Sequence, residues 1–372
     1  MSRTPTISVV IPTYREAENI EAVVRGVCAA LRPQWSTFEV LIVDDDSRDG
    51  SQELVERLAT NLPVRIILRG ADRGLSQAVL EGVGHARGEY VVVMDADLSH
   101  PADRIPAMIE RLTSGTNDFV IGSRYIEDGG VDDSWTLFRR LNSRVATLLA
   151  RPLVDIKDPM AGFMAFARAD MPPRDQLSPI GYKIGLELLV KGGFERPGEI
   201  PIQFLDRQHG TSKLSWREQV RYLQHLSRLY RYRFPARTEL VQFGMVGVSG
   251  FVVDLTIYLS LQALLGVQHL TTRALSFWGA ATWNWFWNRK LTFADRQRTR
   301  KRIQWPAFLL SSLLGFVLNW GTYFTLTSNI PYFAHGAARI LALFLGVIVG
   351  MGLNFLFARA FVFVRNPVDA AS

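Results

Sequence analysis

A change of character near residue 213 constrains this chain more than any other feature of its sequence. Before that point, short β-branched runs alternate with polar stretches that suit helices. After it come apolar stretches, each close to the roughly twenty residues that a helix needs to cross a bilayer. The four stretches cover residues 240–265, 270–287, 305–327 and 337–357. The sequence therefore predicts an α/β half followed by a membrane half with four transmembrane helices.

The distribution of charge supports this division. Residues 1–212 carry 24 Lys and Arg against 30 Asp and Glu, whereas residues 213–372 carry 18 against 5. Because the positive excess lies in the more apolar half, we expect a membrane partner and no nucleic acid. Basic residues concentrate between the second and third stretches, and no apolar leader precedes the first strand. The positive-inside rule then predicts that both termini and the α/β half lie on the cytoplasmic side of the cytoplasmic membrane.

The connecting segment, residues 213–239, is amphipathic. Apolar side chains recur in it at helical spacing beside a series of arginines. The apolar series is Trp216, Val220, Leu223 and Tyr230, and the basic series is Arg217, Arg221, Arg228 and Arg231. This pattern predicts interfacial basic helices that lie on anionic lipid. The alternative is a surface helix packed on the α/β half.

The membrane half also repeats itself. Residues 250–258 match 315–323, and residues 284–293 match 354–363, at offsets of 65 and 70. Polar residues align along with apolar ones, which makes chance similarity the weaker explanation. The sequence therefore predicts two repeated hairpins of the same orientation.

Acidic residues follow two of the predicted strands in the α/β half. Apolar runs at 7–11, 40–43 and 90–94 predict buried parallel strands. An Asp-Asp-Asp run follows the second, and an Asp-Ala-Asp motif follows the third. Ligands of open α/β sheets bind beyond the carboxyl ends of the strands, and a D-x-D pair can hold a divalent cation that grips a diphosphate. An isolated D-x-D is often only a solvated turn, but two acidic strand ends together favour a site.

Several other classes of protein are excluded. The chain lacks a G-x-G-x-x-G fingerprint and a G-x-x-x-x-G-K-[ST] loop, which argues against dinucleotide and NTPase functions. Cys28 is the single cysteine, and the six histidines are scattered. A disulfide scaffold and a Cys/His zinc site are therefore not expected.

Five motifs stand in a fixed order along the first half. They are IPTYRE at 11–16, VDDD at 43–46, DAD at 95–97, GSRY at 122–125 and DRQHGTSK at 206–213. With these motifs the chain resembles the dolichol-phosphate mannose synthases of glycosyltransferase family 2, and its membrane half resembles the GtrA-like four-helix family. The resemblance implies an α/β, GT-A-like nucleotide-sugar-binding domain with a mostly parallel sheet over 1–212, interfacial helices over 213–239 and a GtrA-like transmembrane domain over 240–365.

The resemblance also implies roles for residues that bind the donor. Pro12, Tyr14 and Glu16 would line a guanosine pocket, with Val43 and Asp45 on the base and ribose. The DAD loop would hold the diphosphate, and two cations of the last motif would close over the donor phosphates. The complete implied donor site is Pro12, Tyr14, Glu16, Val43, Asp45, Asp95, Ala96, Asp97, Arg124, Arg207 and Lys213.

A metal site and an acceptor site are implied in the same way. Mg²⁺ or Mn²⁺ would be held by Asp95, Asp97 and Ser99, the last at a position where the family often has Gln. A hydroxyl is a weaker ligand than the amide carbonyl of Gln. Arg124, Arg139 and Ser143 would receive the phosphate of the lipid acceptor. The implied catalytic set is Asp95, Asp97, Arg124, Arg139 and Ser143.

The implied function is that of a metal-dependent inverting glycosyltransferase, which transfers mannose from GDP-mannose to a polyprenyl (dolichyl-type) phosphate. A phosphate monoester has a second pKa near 6, so it is already an anionic nucleophile at neutral pH and needs no Ser–His or Cys–His pair. Two alternatives stay open. One is a UDP-glucose-dependent polyprenyl-phosphate glucosyltransferase, and the other is a flippase for a lipid-linked sugar with a docking α/β domain.

Overall fold

The structure is a computed structural model that describes residues 6–70, 73–132, 136–204, 216–265, 269–296, 300–333 and 335–364. The chain divides into two compact units, Met1–Arg233 and Phe234–Ser372. We describe each unit by itself.

The first unit contains a seven-stranded sheet in the order β3-β2-β1-β4-β7-β5-β8. Its strands are β1 (Ile7–Thr13), β2 (Phe38–Asp44), β3 (Val64–Leu68), β4 (Tyr90–Val93), β5 (Phe119–Ser123), β7 (Met164–Ala167) and β8 (Pro197–Pro201). Only β7 runs antiparallel to its neighbours β4 and β5. A two-stranded sheet pairs β6 (Gly130–Val131) with β9 (Gln203–Phe204). The predicted mostly parallel sheet is therefore confirmed.

Helices cover both faces of this sheet. They are α1 (Ala17–Leu31), α2 (Ser51–Leu58), α3 (Leu75–His85), α4 (Ile105–Thr113), α5 (Leu137–Ala150), α6 (Ile184–Lys191) and α7 (Trp216–Arg233). Short 3₁₀ turns occur at Ala102–Arg104, Arg151–Leu153, Arg168–Asp170 and Arg174–Gln176. Each apolar run places buried side chains on both faces of the sheet, because successive side chains of a strand point in opposite directions. Val40 and Ile42 pack with α1, α2 and α4, whereas Leu41 and Val43 pack with α3 and α6.

A close helix–sheet contact fixes α3 on β1 and β2. A Cβ atom on Gly82 would lie 2.4 Å from a methyl group of Val10 and 2.8 Å from one of Val43. Glycine is therefore required at this point of the helix, because any side chain would force α3 away from the sheet. This packing holds the β1 and β2 ends, where the acidic motifs lie.

Helix α7 forms most of the described part of the predicted interfacial segment, and the next helix begins inside that segment, at Pro235. The buried residues of α7, within the first unit, are Tyr222, His225, Leu226 and Leu229. The hydroxyls of Tyr222 and Tyr230 donate to backbone carbonyls of α5, at 2.7 and 2.8 Å. Trp216 and Leu223 remain exposed. One face of α7 therefore packs on the α/β half, as the alternative prediction stated. Two of the four residues in the predicted apolar series, Trp216 and Leu223, are nevertheless exposed, as a helix at a membrane surface would require.

The second unit consists of α8 (Pro235–Leu265), α9 (His269–Trp287), α10 (Lys301–Asn329) and α11 (Gly336–Phe357), with a short turn at Pro331–Phe333. Three helices are long and apolar enough to cross a membrane, over Pro235–Ala263, Lys301–Asn329 and Gly336–Val362. The second predicted span forms α9, but within the described residues it is not among them. Trp, Thr and Asn residues interrupt its apolar run, so composition alone supports three spans instead of the predicted four.

The two segments of the repeat end in the same unusual conformation. Asn288–Thr292 follows α9 as a π-helical turn, and Ala358–Val362 follows α11 as another. Phe293 and Phe363, which come directly after these turns, stack with ring centroids 4.6 Å apart. The aligned positions of the sequence repeat therefore have equivalent structures.

Arg296, one of the basic residues between the second and third apolar stretches, is buried. Its guanidinium is buried, donates to Glu239 at 2.6 Å, and also donates to the carbonyls of Arg359 and Phe363. Arg359 pairs with the second oxygen of Glu239 at 2.8 Å. One cation that the sequence counts in the loop is thus part of a buried network that joins the ends of the helices.

Candidate active site

The acidic motifs lie at one edge of the sheet, beyond the carboxyl ends of β1, β2 and β4. Thr13 is in register with Asp44, and Val93 at the end of β4 is in register with Val10. The DAD loop begins two residues after Val93. Since β5 is parallel to β4 across β7, the GSRY motif reaches the same edge. The fold therefore collects four of the five motifs at the place where open α/β sheets bind ligands.

Asp44 is a structural member of the acidic run. Its carboxylate accepts a hydrogen bond from the Thr13 hydroxyl at 3.0 Å, and from the backbone N–H and hydroxyl of Ser47 at 2.8 and 2.5 Å. The Ser47 hydroxyl oxygen in turn accepts the Arg15 N–H at 2.8 Å. These bonds join the ends of β1 and β2.

Asp45 is also held by the protein itself. One carboxylate oxygen pairs with buried Arg69, and the other accepts the N–H of Gly74 at 2.7 Å. Gly74 has φ +144°, a conformation that glycine adopts without strain. Arg69 was not among the residues predicted from the sequence, and its position directly after β3 is the one sequence feature that marks it. Asp45 therefore lies at the predicted site, and its buried ion pair fixes the loop that precedes α3.

The three predicted residues at the end of β1 differ in exposure. Pro12 is buried, whereas Tyr14 is 38% exposed, with the guanidinium groups of Arg15 and Arg73 at 5.3 and 5.8 Å from its ring centroid. Glu16 accepts from the Asn19 side chain at 2.7 Å. Tyr14 is the group here that can offer a ring face to a ligand.

Val43 lies at the edge but turns its side chain into the core beneath α3. Ala96 is likewise buried. Neither side chain is exposed for a ligand, so any contact that these two residues make with a nucleotide uses the main chain.

The DAD loop presents two carboxylates of different character. The Asp95 side chain is 25% exposed, whereas Asp97 is buried. One Asp97 oxygen accepts from the Ser99 N–H and hydroxyl, at 3.2 and 2.6 Å. Ser99 is fully buried, so its hydroxyl holds Asp97 in position.

His100 supports Asp95 and was missed from the sequence. Its Nδ1 accepts the Asp95 N–H at 2.9 Å, and its Nε2 lies 3.9 Å from an Asp95 carboxylate oxygen. The ring stacks on Phe163 at 5.2 Å between centroids. The signal in the sequence is its place three residues after Asp97.

The site could hold a divalent cation with two protein carboxylates. Asp95 and Asp97 are hard oxygen donors of the kind that Mg²⁺ and Mn²⁺ prefer. Within the described ranges, no group of three or more His, Cys, Asp or Glu side chains could hold a metal ion. The donor set therefore fits a cation that takes its remaining ligands from a substrate and water.

Arg124 forms a buried ion pair beside the acidic loop. Its Nε and Nη2 donate to the two oxygens of Asp158 at 2.7 and 2.8 Å, and its backbone N–H donates to the same carboxylate at 3.1 Å. Burial acts to lower the pKa of Arg124, but the bonds and charge of Asp158 outweigh it and raise the pKa. Asp158, which sequence reasoning missed, is fully buried, and Glu199 holds its backbone N–H at 2.9 Å.

Helix α5 supplies the other two predicted acceptor residues. The Ser143 hydroxyl is hydrogen-bonded to the Tyr125 hydroxyl at 2.8 Å, which joins α5 to the GSRY motif. Arg139 lies in the first turn, where its N–H donates to the capping Thr136 hydroxyl at 3.3 Å. The exposed side of the helix is apolar, with Leu137, Phe138, Leu141, Val145 and Leu148. Arg207 and Lys213, predicted at the donor phosphates, lie outside the described residues.

Lys183, which was not predicted from the sequence, is a second cation near Arg124. Its Nζ donates to the Met160 carbonyl at 2.9 Å. Burial is the main cause that lowers its pKa to about 8, the charge of Arg124 acts in the same direction, and Asp158 and Asp95 oppose them. The site therefore combines two carboxylates on the β4 loop with an arginine, a lysine and a fully buried aspartate.

Comparisons with known proteins agree with this arrangement. The family model described as Glycosyl transferase family 2 matches residues 8–170, and that described as GtrA/DPMS, transmembrane domain, matches residues 242–363. A dolichol-phosphate mannosyltransferase of Pyrococcus furiosus is 35% identical over 360 residues, which are 95% of this chain and 98% of that protein.

Two fungal proteins of the same name are also similar. The one from Mycosarcoma maydis is 42% identical over 63% of this chain and 82% of its own length. The one from Saccharomyces cerevisiae is 39% identical over 68% of this chain and 97% of its own length. These matches confirm the predicted resemblance and the fold class, a GT-A-like α/β half followed by membrane helices.

Proposed function

Because the chain belongs to the dolichol-phosphate mannosyltransferase family, we propose that it transfers mannose from GDP-mannose to a polyprenyl phosphate, with inversion at the anomeric carbon. The observation that carries this proposal is that carboxylates suited to a cation and an arginine suited to a phosphate lie at the same edge of the sheet. Asp95 and Asp97 follow β4, Arg124 follows β5, and only β7 separates these strands. A diphosphate leaving group and a phosphate nucleophile would therefore lie side by side.

The donor would bind across the ends of β1, β2 and β4. Tyr14 offers an exposed ring to the base, and Asp45 holds the β2 loop through Arg69 and Gly74. Asp95 and Asp97 would hold Mg²⁺ or Mn²⁺, and Ser99 acts through Asp97. When bound, the cation neutralises the charge of the diphosphate.

The acceptor would approach along α5. Ser143 and Arg139 lie on this helix, whose exposed side is a row of large apolar side chains. Such a helix suits a membrane surface, where its apolar side meets the lipid tails and its arginines meet the phosphates. The lipid phosphate would then reach Arg124 from the membrane while its prenyl chain stays in the bilayer.

Transfer needs no protein nucleophile. An oxygen of the acceptor phosphate donates an electron pair to the anomeric carbon, and the bond from that carbon to the diphosphate oxygen breaks with its electrons. No proton moves, because the phosphate is largely dianionic near neutral pH. The chain's own residues contribute position and charge, which lower the barrier by orienting the reactants and neutralising both phosphates. A single displacement converts an α-linked nucleotide sugar into a β-linked product.

The membrane half would keep the enzyme at the membrane with its catalytic unit and both termini in the cytoplasm. The GtrA/DPMS match and three apolar helices support membrane attachment. The orientation rests on the basic residues between the second and third apolar stretches.

Turnover of the purified full chain tests the proposal. GDP-mannose and UDP-glucose are supplied in parallel with a polyprenyl phosphate and Mg²⁺ or Mn²⁺, and the anomeric configuration of the product is read by NMR. We expect a β-linked mannosyl phosphate from GDP-mannose only. Transfer of glucose, or retention of configuration, would overturn the assignment of donor or mechanism.

A further inference from the structure

Lys183 lies in a connection that the structure holds at both ends. It immediately precedes α6, and the Gly181 carbonyl accepts the Ser76 hydroxyl at 2.8 Å. Lys183 itself donates to Met160, in the segment that also carries Asp158. Its ammonium lies 4.5 Å from the centroid of the Tyr182 ring. These contacts hold the cation on the Asp158 side of the site.

The net charge near Arg124 depends on Lys183. Arg124 uses its Nε, Nη2 and backbone N–H on Asp158, so this pair carries no net charge. Within the described part of the chain, no carboxylate oxygen lies within 4 Å of Lys183 Nζ. An ammonium has three donors, and Met160 accepts one. Of the two cations Arg124 and Lys183, Lys183 is therefore the one that forms no ion pair within the described residues, and its charge can be balanced by an anionic ligand.

Helix α7 connects Lys183 to the acceptor helix. Its His225 accepts the Ile180 N–H at 3.3 Å, three residues before Lys183. Its Tyr222 and Tyr230 donate to carbonyls of α5, the helix that carries Ser143. One helix thus packs on both the Lys183 connection and α5, so Lys183 keeps its place relative to the acceptor side.

We propose that Lys183 binds the phosphate of the lipid acceptor and supplies the positive charge that Arg124, neutralised by Asp158, does not supply alone. The proposal deepens the function proposed above and rests on it. The two N–H groups of the Lys183 ammonium that do not bond Met160 can donate to nonbridging oxygens of a phosphate. Such charge-assisted hydrogen bonds are stronger than bonds between neutral groups. Asp158 holds the Arg124 guanidinium in one orientation through its two side-chain bonds, so the position of Arg124 is fixed before a ligand binds.

Three substitutions separate the charge of Lys183 from its structural bond. Lys183→Met removes both, Lys183→Gln keeps a donor for the Met160 carbonyl without the charge, and Lys183→Arg keeps the charge. Lys157→Met is the matched control, because Lys157 is an exposed lysine in the same segment as Met160. Thermal unfolding checks that each variant folds.

The readouts are the acceptor kcat/KM with a polyprenyl phosphate, the KM for GDP-mannose, and the affinity for GDP by calorimetry. We expect Lys183→Met and Lys183→Gln to lose about 10- to 100-fold in acceptor kcat/KM, the range for one charge-assisted hydrogen bond. Lys183→Arg should recover part of this loss. GDP affinity should change less than about threefold in all variants, because none of the substitutions removes a contact to the donor.

Two results would overturn the inference. In one, Lys183→Gln transfers like the wild type, which would assign Lys183 to the Met160 bond alone. In the other, GDP affinity falls with acceptor use, which would assign Lys183 to the donor. If the wild type itself transfers no mannose to a polyprenyl phosphate, the proposed function fails instead, so the two failures are distinguishable.

Discussion

The ion pair between Arg124 and Asp158 makes a quantitative prediction about stability. Asp158 is fully buried, and the Arg124 side chain is 10% exposed. Asp158→Asn keeps an oxygen for the Arg124 backbone N–H but removes the negative charge. Removing one partner of a buried pair costs about 3–5 kcal/mol, because the other charge stays buried without compensation. We expect the free energy of opening around β5 and β7 to fall by this amount.

Hydrogen–deuterium exchange of the full chain in detergent measures this change where it occurs. At 1.36 kcal/mol for each factor of ten, amides of Phe119–Ser123 and Met164–Ala167 should exchange roughly 10²- to 10⁴-fold faster in Asp158→Asn. Asp155→Asn is the control, since Asp155 is an exposed carboxylate in the same segment. Exchange within tenfold of the wild type would show that the pair does not stabilise the sheet edge, and the reasoning about Arg124 would be wrong.

Three further predictions concern the metal, the acceptor and pH. Asp97→Ala should lose nearly all transfer, because it removes one of two carboxylates that fit a cation; wild-type turnover that persists in EDTA would contradict this. Arg139→Ala should raise the KM for the lipid phosphate while calorimetry finds GDP affinity nearly intact, and a collapse of GDP affinity would remove Arg139 from the acceptor site. Burial is the main cause that lowers the pKa of His225, and Glu187 opposes it. Because the unfolded state then takes up a proton more readily, the thermal stability should fall as the pH drops below about 6.5. His225→Gln should flatten this dependence between about pH 7 and 5, and an equally steep loss would contradict it.

Local sequence patterns were sufficient to predict the strands, the strand ends that carry the motifs, and the apolar helices. The apolar runs at 7–11 and 40–43 form β1 and β2 because a buried parallel strand needs apolar residues on both faces. The DAD loop and the GSRY motif reach the expected edge because parallel strands direct their carboxyl ends to one side. Three of the four apolar stretches form helices with the composition of membrane spans.

The same patterns could not identify residues whose role depends on a distant partner. Asp158 follows Arg124 by 34 positions, and Lys183 meets Met160 across 23. Val43 belongs to the VDDD motif that predicts a binding site, yet its side chain lies in the core. In the sequence Arg296 is indistinguishable from the other basic residues of its loop, although in the structure it is buried and forms an ion pair with Glu239. No periodicity marks such residues, since the sequence gives neither the separation of two charges nor their burial.

The sequence by itself determined the division into an α/β half and an apolar half, the strand ends that carry acids, and the residue types available for binding phosphates. Those properties follow from hydropathy, charge and the alternation of side chains, which act over a few residues. Only the tertiary structure decided which charges are neutralised. Arg124 and Lys183 are both cations in the sequence, but Asp158 compensates Arg124 while Met160 offers Lys183 only a carbonyl. The free energy of a charge depends on its burial and its partner, and both are fixed when distant segments pack.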